Sequence, residues 1–266
     1  MRLMLYLRAQ ADTAYMTDYH RKLSGRVWRA LKDTPVEERH RSGEPSGFCM
    51  SNPFPFGDME EGDEKKVILS SADEETLSYV AEDVKRNPEF NIGEMEFVVE
   101  DMSAFDVDAG EPGTSGTMET ATGVVVRLYE DAREEYGIEN GHGDTPTYWR
   151  PEHTTEPFVD AITDNLQKKH DRFVGEHLPG PNEVGGELFD GYEMIKTYSL
   201  PVTVTEGVEM DMVLSKWRLS YEVRDNHHRR HLNLALDAGI GGRNSLGLGF
   251  VNITDKNEPR RRNAAT

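Results

Sequence analysis

The stretch "KKVILSSADEETLSYVAEDVKR", residues 65–86, decides the reading of the fold. Its first seven residues form a short apolar run with polar ends, the pattern of a strand. Asp73 then opens a helix, with Glu74 and Glu75 in the first turn, where the helix dipole favours negative charge. Leu77, Val80, Ala81 and Val84 fall on one stripe of that helix. Upstream, "GFCMSNPFPF" (47–56) is short and interrupted by prolines, which predicts a weak or edge strand. Before it, residues 15–32 place Tyr19, Leu23, Val27, Ala30 and Leu31 on a helical stripe. Gly25 sits inside that helix at a cost of roughly 1 kcal/mol relative to Ala, which points to a close backbone contact. Residues 1–9 alternate, with Leu3, Leu5 and Leu7 on one face, as a strand does. Downstream, "EMEFVVEDM" (94–102) reads as a further strand.

The order is β-α-β-β-α-β, the ferredoxin-like plan shared in outline with RNA-recognition folds. "DAGEPGTSGT" (108–117) reads as a linker, and the plan then repeats. "METATGVVVRLY" (118–129) is a strand, followed by an acidic insertion over 130–155. A helix over 157–173 carries Phe158, Ile162, Leu166 and Phe173 on one side. After a Gly/Pro-rich break come two strands, 192–204 and 209–223, a basic helix over 226–238, a glycine loop and a last strand at 248–254. The expected fold class is therefore α+β, with two tandem ferredoxin-like domains. The expected boundaries are 1–107 and 117–254, with a flexible tail over 255–266.

The chain's 49 acidic residues exceed its 30 lysines and arginines, for a net charge of −19, and only 36% of residues are hydrophobic. Periodic apolar spacing argues against disorder, so the acidity reads as the solubilising surface of a protein from a salt-rich, halophilic cytoplasm. The lone Cys49 excludes an intrachain disulfide and fits a reducing compartment. No apolar run is long enough to span a membrane, and the first residues lack the apolar core of a signal peptide.

Near the chain's end stands "GIGGRNSLGLGF", residues 239–250, with five glycines in twelve residues. It follows a helix and precedes a strand, the reverse of a dinucleotide fingerprint, and it lacks the Gly-Lys-Ser/Thr of a P-loop. It lies at a helix C-terminus, where the dipole repels anions. Phosphate binding there would need loop amides arranged as a nest, together with Arg243. The spacing equally allows a tight connection packed on the first domain. "GIGGRNSLGLGF" resembles the C-terminal glycine-rich signature of the CRISPR-associated endoribonucleases of the sixth Cas family. The opening strand "MRL" and the helix "YHRKLSGRVWRAL" (19–31) resemble that family too. The resemblance implies a metal-independent endoribonuclease that binds CRISPR repeat RNA and cuts precursor CRISPR RNA, leaving 2′,3′-cyclic phosphate and 5′-hydroxyl ends. It implies no cofactor, other Cas proteins of an interference complex as partners, and RNA contacts from Gly239, Gly241, Gly242, Arg243, Asn244, Ser245, Gly247 and Gly249.

In that family a histidine after the first helix is the usual catalytic residue, and aligning "ERHRSGEPSGFCMS" (38–51) brings His40 onto it. Histidine titrates closest to working pH and can act as acid or base toward the ribose and the leaving oxygen. Arg39 and Arg41 flank it and could hold the phosphate. The family's helix tyrosine and following lysine correspond here to Trp28 and Ser46. Tryptophan transfers no proton but can stack a base, and serine brings no charge. Tyr19 and His20 are further candidates, Tyr19 lying on the apolar stripe. Basic islands at 21–41 and 216–243, the second including Arg229 and Arg230, are the expected RNA track, with Trp28, Trp217 and Tyr198 as stacking candidates. His227 and His231 are spaced as a metal pair without the motif's glutamate, and no metal is expected. Two rival readings are a non-catalytic RNA-binding subunit of an interference complex, and a metabolic enzyme whose glycine loop cradles a small phosphate.

Overall fold

β1 (Arg2–Ala9) buries Leu3, Leu5, Leu7 and Ala9, the alternation read from the sequence. The structure, a computed structural model, describes residues 1–42, 44–139, 146–183, 186–205 and 207–258. α1 (Tyr19–Ala30) buries Tyr19, Leu23, Val27 and Ala30. It starts later than its periodicity suggests because the Tyr15 amide donates to Asp58 at 2.8 Å and its hydroxyl to the Pro53 carbonyl at 2.9 Å. The expected close contact at Gly25 is not there: the residue is exposed, and a Cβ would meet nothing within 4 Å. After the short α2 (Glu37–Ser42) come β2 (Phe48–Met50), β3 (Glu64–Ser71), α3 (Glu74–Arg86) and β4 (Phe97–Phe105). The Asp73 carboxylate caps α3 by accepting from the Glu75 amide at 3.1 Å. The sheet runs β2-β3-β1-β4, all antiparallel. This is the ferredoxin-like order, with three-residue β2 at one edge.

The second half repeats the order. β5 (Ser115–Thr120) and β6 (Val124–Val125) both pair with β8 (Val208–Glu222), while β7 (Gly191–Thr205) pairs along the other edge of β8 and β9 (Val251–Asn257) flanks β5. The single strand expected at 118–129 is broken where residues 121–123 bond the end of the glycine loop: Ala121 donates to Phe250 and Gly249 to Gly123, each at 2.8–2.9 Å. α4 (Glu130–Glu135) lies in the acidic insertion. α5 (Glu156–His170) and α6 (Asn226–Ala238) cover the sheet. Their core holds Phe158, Ile162, Leu166, Leu232 and Trp217.

Trp217 is buried, with its ring centroid 4.2 Å from that of Phe158, so it is core rather than a platform for RNA. α5 stops before Phe173, and a π-helical turn, Asp171–Gly175, takes that residue off the apolar stripe. β9 continues through Asn257, so the expected tail does not begin at 255. Residues 259–266 lie outside the described residues, as does His142 within the acidic insertion. The free face of the first sheet packs on the second half, where Cys49, Ile68 and Phe250 form a small shared core. No described helix is long and apolar enough to cross a membrane.

Candidate functional site

His40 lies on α2 and is exposed. Its ring sits against the indole of Trp28, with centroids 4.5 Å apart and planes tilted by 31°. Trp28 packs in turn edge-on against Phe48 of β2, at 5.2 Å. The Trp28 position thus supplies an aromatic wall behind the imidazole. Ser46 is half-buried, and its hydroxyl donates to the Phe48 carbonyl at 3.3 Å, which ties it to the loop rather than to a substrate.

Arg39 is not available to a phosphate, contrary to the expectation from its place beside His40. Its guanidinium pairs with Asp73, the α3 cap, at 2.7 Å and lies over the ring of Phe173, 5.2 Å from the centroid. A helix directs neighbouring side chains about 100° apart, so Arg39 faces the core contact while His40 faces solvent. The backbone of Arg41 continues α2; its side chain lies outside the described residues.

The glycine loop is a closed structure. The side-chain amide of Asn244 donates to Ile240 at 3.1 Å and to Leu248 at 2.8 Å, bridging the loop's two arms. Gly249 holds φ at +75°, and a Cβ there would collide with the Ile240 carbonyl. Glycine is therefore required at this position. The amides of Gly242, Gly247 and Gly249 already donate, to Val125, Asn244 and Gly123 respectively, at 2.8–2.9 Å. They are not the bare donors expected for a phosphate nest. Gly239, Gly241, Asn244, Gly247 and Gly249 are buried, Gly242 and Ser245 are half-buried, and Arg243 is exposed in the left-handed region at φ +60°. The outward part of the loop is thus Gly242, Arg243 and Ser245.

Four buried groups hold the loop, and the sequence did not single out Arg2 or Lys169. His20 on α1 binds the Leu246 carbonyl through Nδ1 at 2.9 Å. Burial lowers its pKa, so the neutral ring donates there and is not a spare catalytic group. The Cys49 thiol donates to Leu248 at 3.3 Å. Lys169 of α5 donates to the Gly239 carbonyl at 2.7 Å, and its full burial brings the ammonium pKa down to about 7. Arg2 donates to the carbonyls of Leu236 at 3.0 Å and Val251 at 2.6 Å, and burial lowers it to about 10. Leu236 and Gly239 lie at the C-terminal end of α6, where a cation is favoured. "YHRK" and "QKKH" look like solvated helix faces, so only the packing of the two halves reveals His20 and Lys169 as anchors.

His40 and the loop are linked through α1. His20 grips the loop at the start of the helix, and Trp28 meets His40 two turns later, about 12 Å along the axis at 1.5 Å per residue. The second basic island is largely spent on ion pairs. Arg229 binds Asp108 at 2.9 Å and Glu111 at 2.7 Å, and Arg218 binds Glu119 and Glu193. Arg230 donates to the Pro179 carbonyl and to His227. His231 is buried with Nε2 against Pro179, so His227 and His231 serve different partners. Tyr19 is buried, and burial drives its hydroxyl well above the usual range.

Comparison with known proteins adds a family. Residues 110–253 match the family model described as CRISPR associated protein Cas6, C-terminal. The chain is 58% identical over 259 residues to the CRISPR-associated endoribonuclease Cas6 of Haloferax mediterranei, covering 97% of this chain and 96% of that protein. It is 26% identical over 257 residues to CRISPR-associated endoribonuclease Cas6 2 of Methanocaldococcus jannaschii, covering 95% and 99%. The fold resembles a solved structure from the characterization of a Cas6-related gene of Pyrococcus furiosus, with a TM-score of 0.69 at 19% identity, covering 95% and 98%.

Proposed function

The chain belongs to the Cas6 family, endoribonucleases that process precursor CRISPR RNA, and from that premise we propose that His40 moves the protons of its cleavage step. The observation that carries the proposal is the exposed imidazole held against Trp28 on the same helix that grips the glycine loop. In this reading repeat RNA lies along α1 and meets the outward face of the loop at Gly242, Arg243 and Ser245. His40 then serves as base toward a ribose 2′-hydroxyl or as acid toward the leaving oxygen. The 2′-oxygen attacks phosphorus, the bond from phosphorus to the 5′-oxygen breaks, and that oxygen takes a proton. The ends are a 2′,3′-cyclic phosphate and a 5′-hydroxyl, without a metal.

Trp28 orients the ring and excludes water from one side of it. Arg41 and Arg243 are the proposed sources of positive charge, because Arg39 is committed to Asp73. We further place the protein in the cytoplasm, handing its RNA product to other Cas proteins, on the family's account alone. Relatives named as endoribonucleases do not favour the reading as a non-catalytic subunit.

The test is single-turnover cleavage of a repeat RNA in EDTA and high salt. His40→Ala is expected to slow cleavage by on the order of 10²–10⁴, the usual span for a positioned acid or base, with RNA affinity retained. Cleavage by His40→Ala within a few-fold of the unsubstituted chain would reject the assignment.

A further inference from the structure

The segment that carries His40 is held from outside its own half of the molecule. Phe173, in the π-helical turn that ends α5, lies against Gly47 on one side and under the Arg39 guanidinium on the other. Gly47 holds φ at +77°, and a Cβ there would lie 2.7 Å from the Phe173 Cε1 and closer still to Cζ. Gly47 is itself fixed, its carbonyl accepting from the Ala72 amide at 2.9 Å and the Ser71 hydroxyl at 3.1 Å. Arg39 is fixed to Asp73. Next to Phe173, Arg172 pairs with Glu44 at 3.3 Å. The turn therefore touches the stretch 39–47 at three points, one of them the residue immediately before His40.

The same helical end holds the other component of the site. Lys169, the last residue but one of α5, stands four residues before Phe173 and donates to Gly239 at the start of the glycine loop. The end of α5 thus grips the loop with Lys169, and the π-helical turn that follows it grips the His40 segment with Phe173. π-helical turns recur where a helix must redirect a side chain at a functional site.

We infer that Phe173 is a positioning residue for cleavage: it sets His40 in register with the glycine loop without touching RNA. The inference rests on the assignment of His40 above. Misplacement of a reacting group by about 1 Å costs on the order of 100-fold, so a small slip of this segment registers in the rate.

The experiment compares Phe173→Ala, Phe173→Leu and His40→Ala in the full chain. It measures single-turnover cleavage, RNA affinity, the thermal midpoint and the His40 Cε1 proton resonance. Trp28 displaces that resonance by its ring current, and His40→Ala assigns it among the nine histidines. Phe173→Ala is expected to slow cleavage on the order of 10- to 100-fold with affinity within about threefold, and to move the resonance toward its free value. Phe173→Leu should recover part of both, and it keeps the test valid if the alanine variant fails to fold. Gly47→Ala should cost less activity on the Phe173→Ala background than alone, because part of its cost is the collision with the ring. An unchanged rate and resonance in Phe173→Ala would overturn the inference, as would an affinity loss equal to the rate loss. The resonance reads position without activity, so the two claims can fail separately: normal cleavage by His40→Ala sinks the histidine's role, while an unmoved resonance in Phe173→Ala sinks the clamp.

Discussion

Gly25 occupies the solvent face of α1, with open space where a Cβ would stand and no positive φ to explain its presence. Glycine in a helix interior loses more backbone entropy on folding than alanine does. Gly25→Ala is therefore expected to stabilise the fold by about 0.5–1 kcal/mol, read as a higher urea midpoint with an unchanged slope. A lower midpoint would mean that the site is strained. The residues that sequence reading placed well are those whose role depends on chain neighbours. Leu3, Leu5 and Leu7 alternate inward, and Asp73 caps α3 two residues before the amide it binds. The residues it placed poorly are those whose partner comes from a distant segment. Arg39 meets Asp73, Arg229 meets Asp108, and Trp217 meets Phe158. Spacing says which face a side chain occupies and is silent on what arrives there. His40 was singled out by the family resemblance and its role is the proposal made above; the anchoring roles of His20 and Lys169 were not legible, since each becomes an anchor only when the two halves pack.

At the scale of elements, α5 and α6 meet through a pair of buried histidines. The rings of His170 and His231 stand edge to face at 5.3 Å, and neither ring nitrogen of His170 has a hydrogen-bond partner among the described residues. The charged groups facing the pair are Asp171, whose Oδ1 lies 3.5 Å from the His170 Nδ1, Glu183 and Arg230, with Lys169 on the same helix and His228 one turn before His231. Burial lowers both imidazoles, His231 to about 4, against an unfolded value near 6.5. Between those values the unfolded chain binds protons that the folded chain refuses, so stability falls as pH drops from 6.5 toward 4. His170→Phe keeps the ring's volume and removes a group that titrates. It is expected to leave stability at pH 7.5 equal or higher and to flatten the loss between pH 6.5 and 4, measured as urea midpoints across that range. A slope equal to that of the unsubstituted chain would show that His170 takes no part in the acid transition.

The whole molecule has to bind a polyanion while carrying a net charge of −19. The two basic islands hold thirteen lysines and arginines. If all thirteen neutralised phosphates, the logarithm of affinity would fall with the logarithm of salt at a slope of about −9. The structure withdraws many of them: Arg26 is buried on Asp83, Arg39 is held by Asp73, Arg218 and Arg229 are paired with carboxylates, and Lys216 donates to the Ala121 carbonyl. The exposed cations closest to the proposed track are Lys22, Arg29 and Lys32 on and just after α1, together with Arg243 on the loop. Four neutralised phosphates give a slope of about −3 for a single strand. Over a tenfold rise in KCl that is a loss of about a thousandfold, against about a billionfold for the full set, so only the shallow case leaves usable binding in a salt-rich interior. The remainder of the affinity then comes from stacking, with Trp28 as the half-buried aromatic nearest His40, and from directional hydrogen bonds, both of which salt screens little. Measured between 0.2 and 2 M KCl with a repeat RNA, the slope is expected near −3, and Arg243→Gln should make it shallower by about one unit times 0.7. A slope near −9, or one untouched by Arg243→Gln, would mean that cations assigned here to ion pairs leave their carboxylates to meet the RNA.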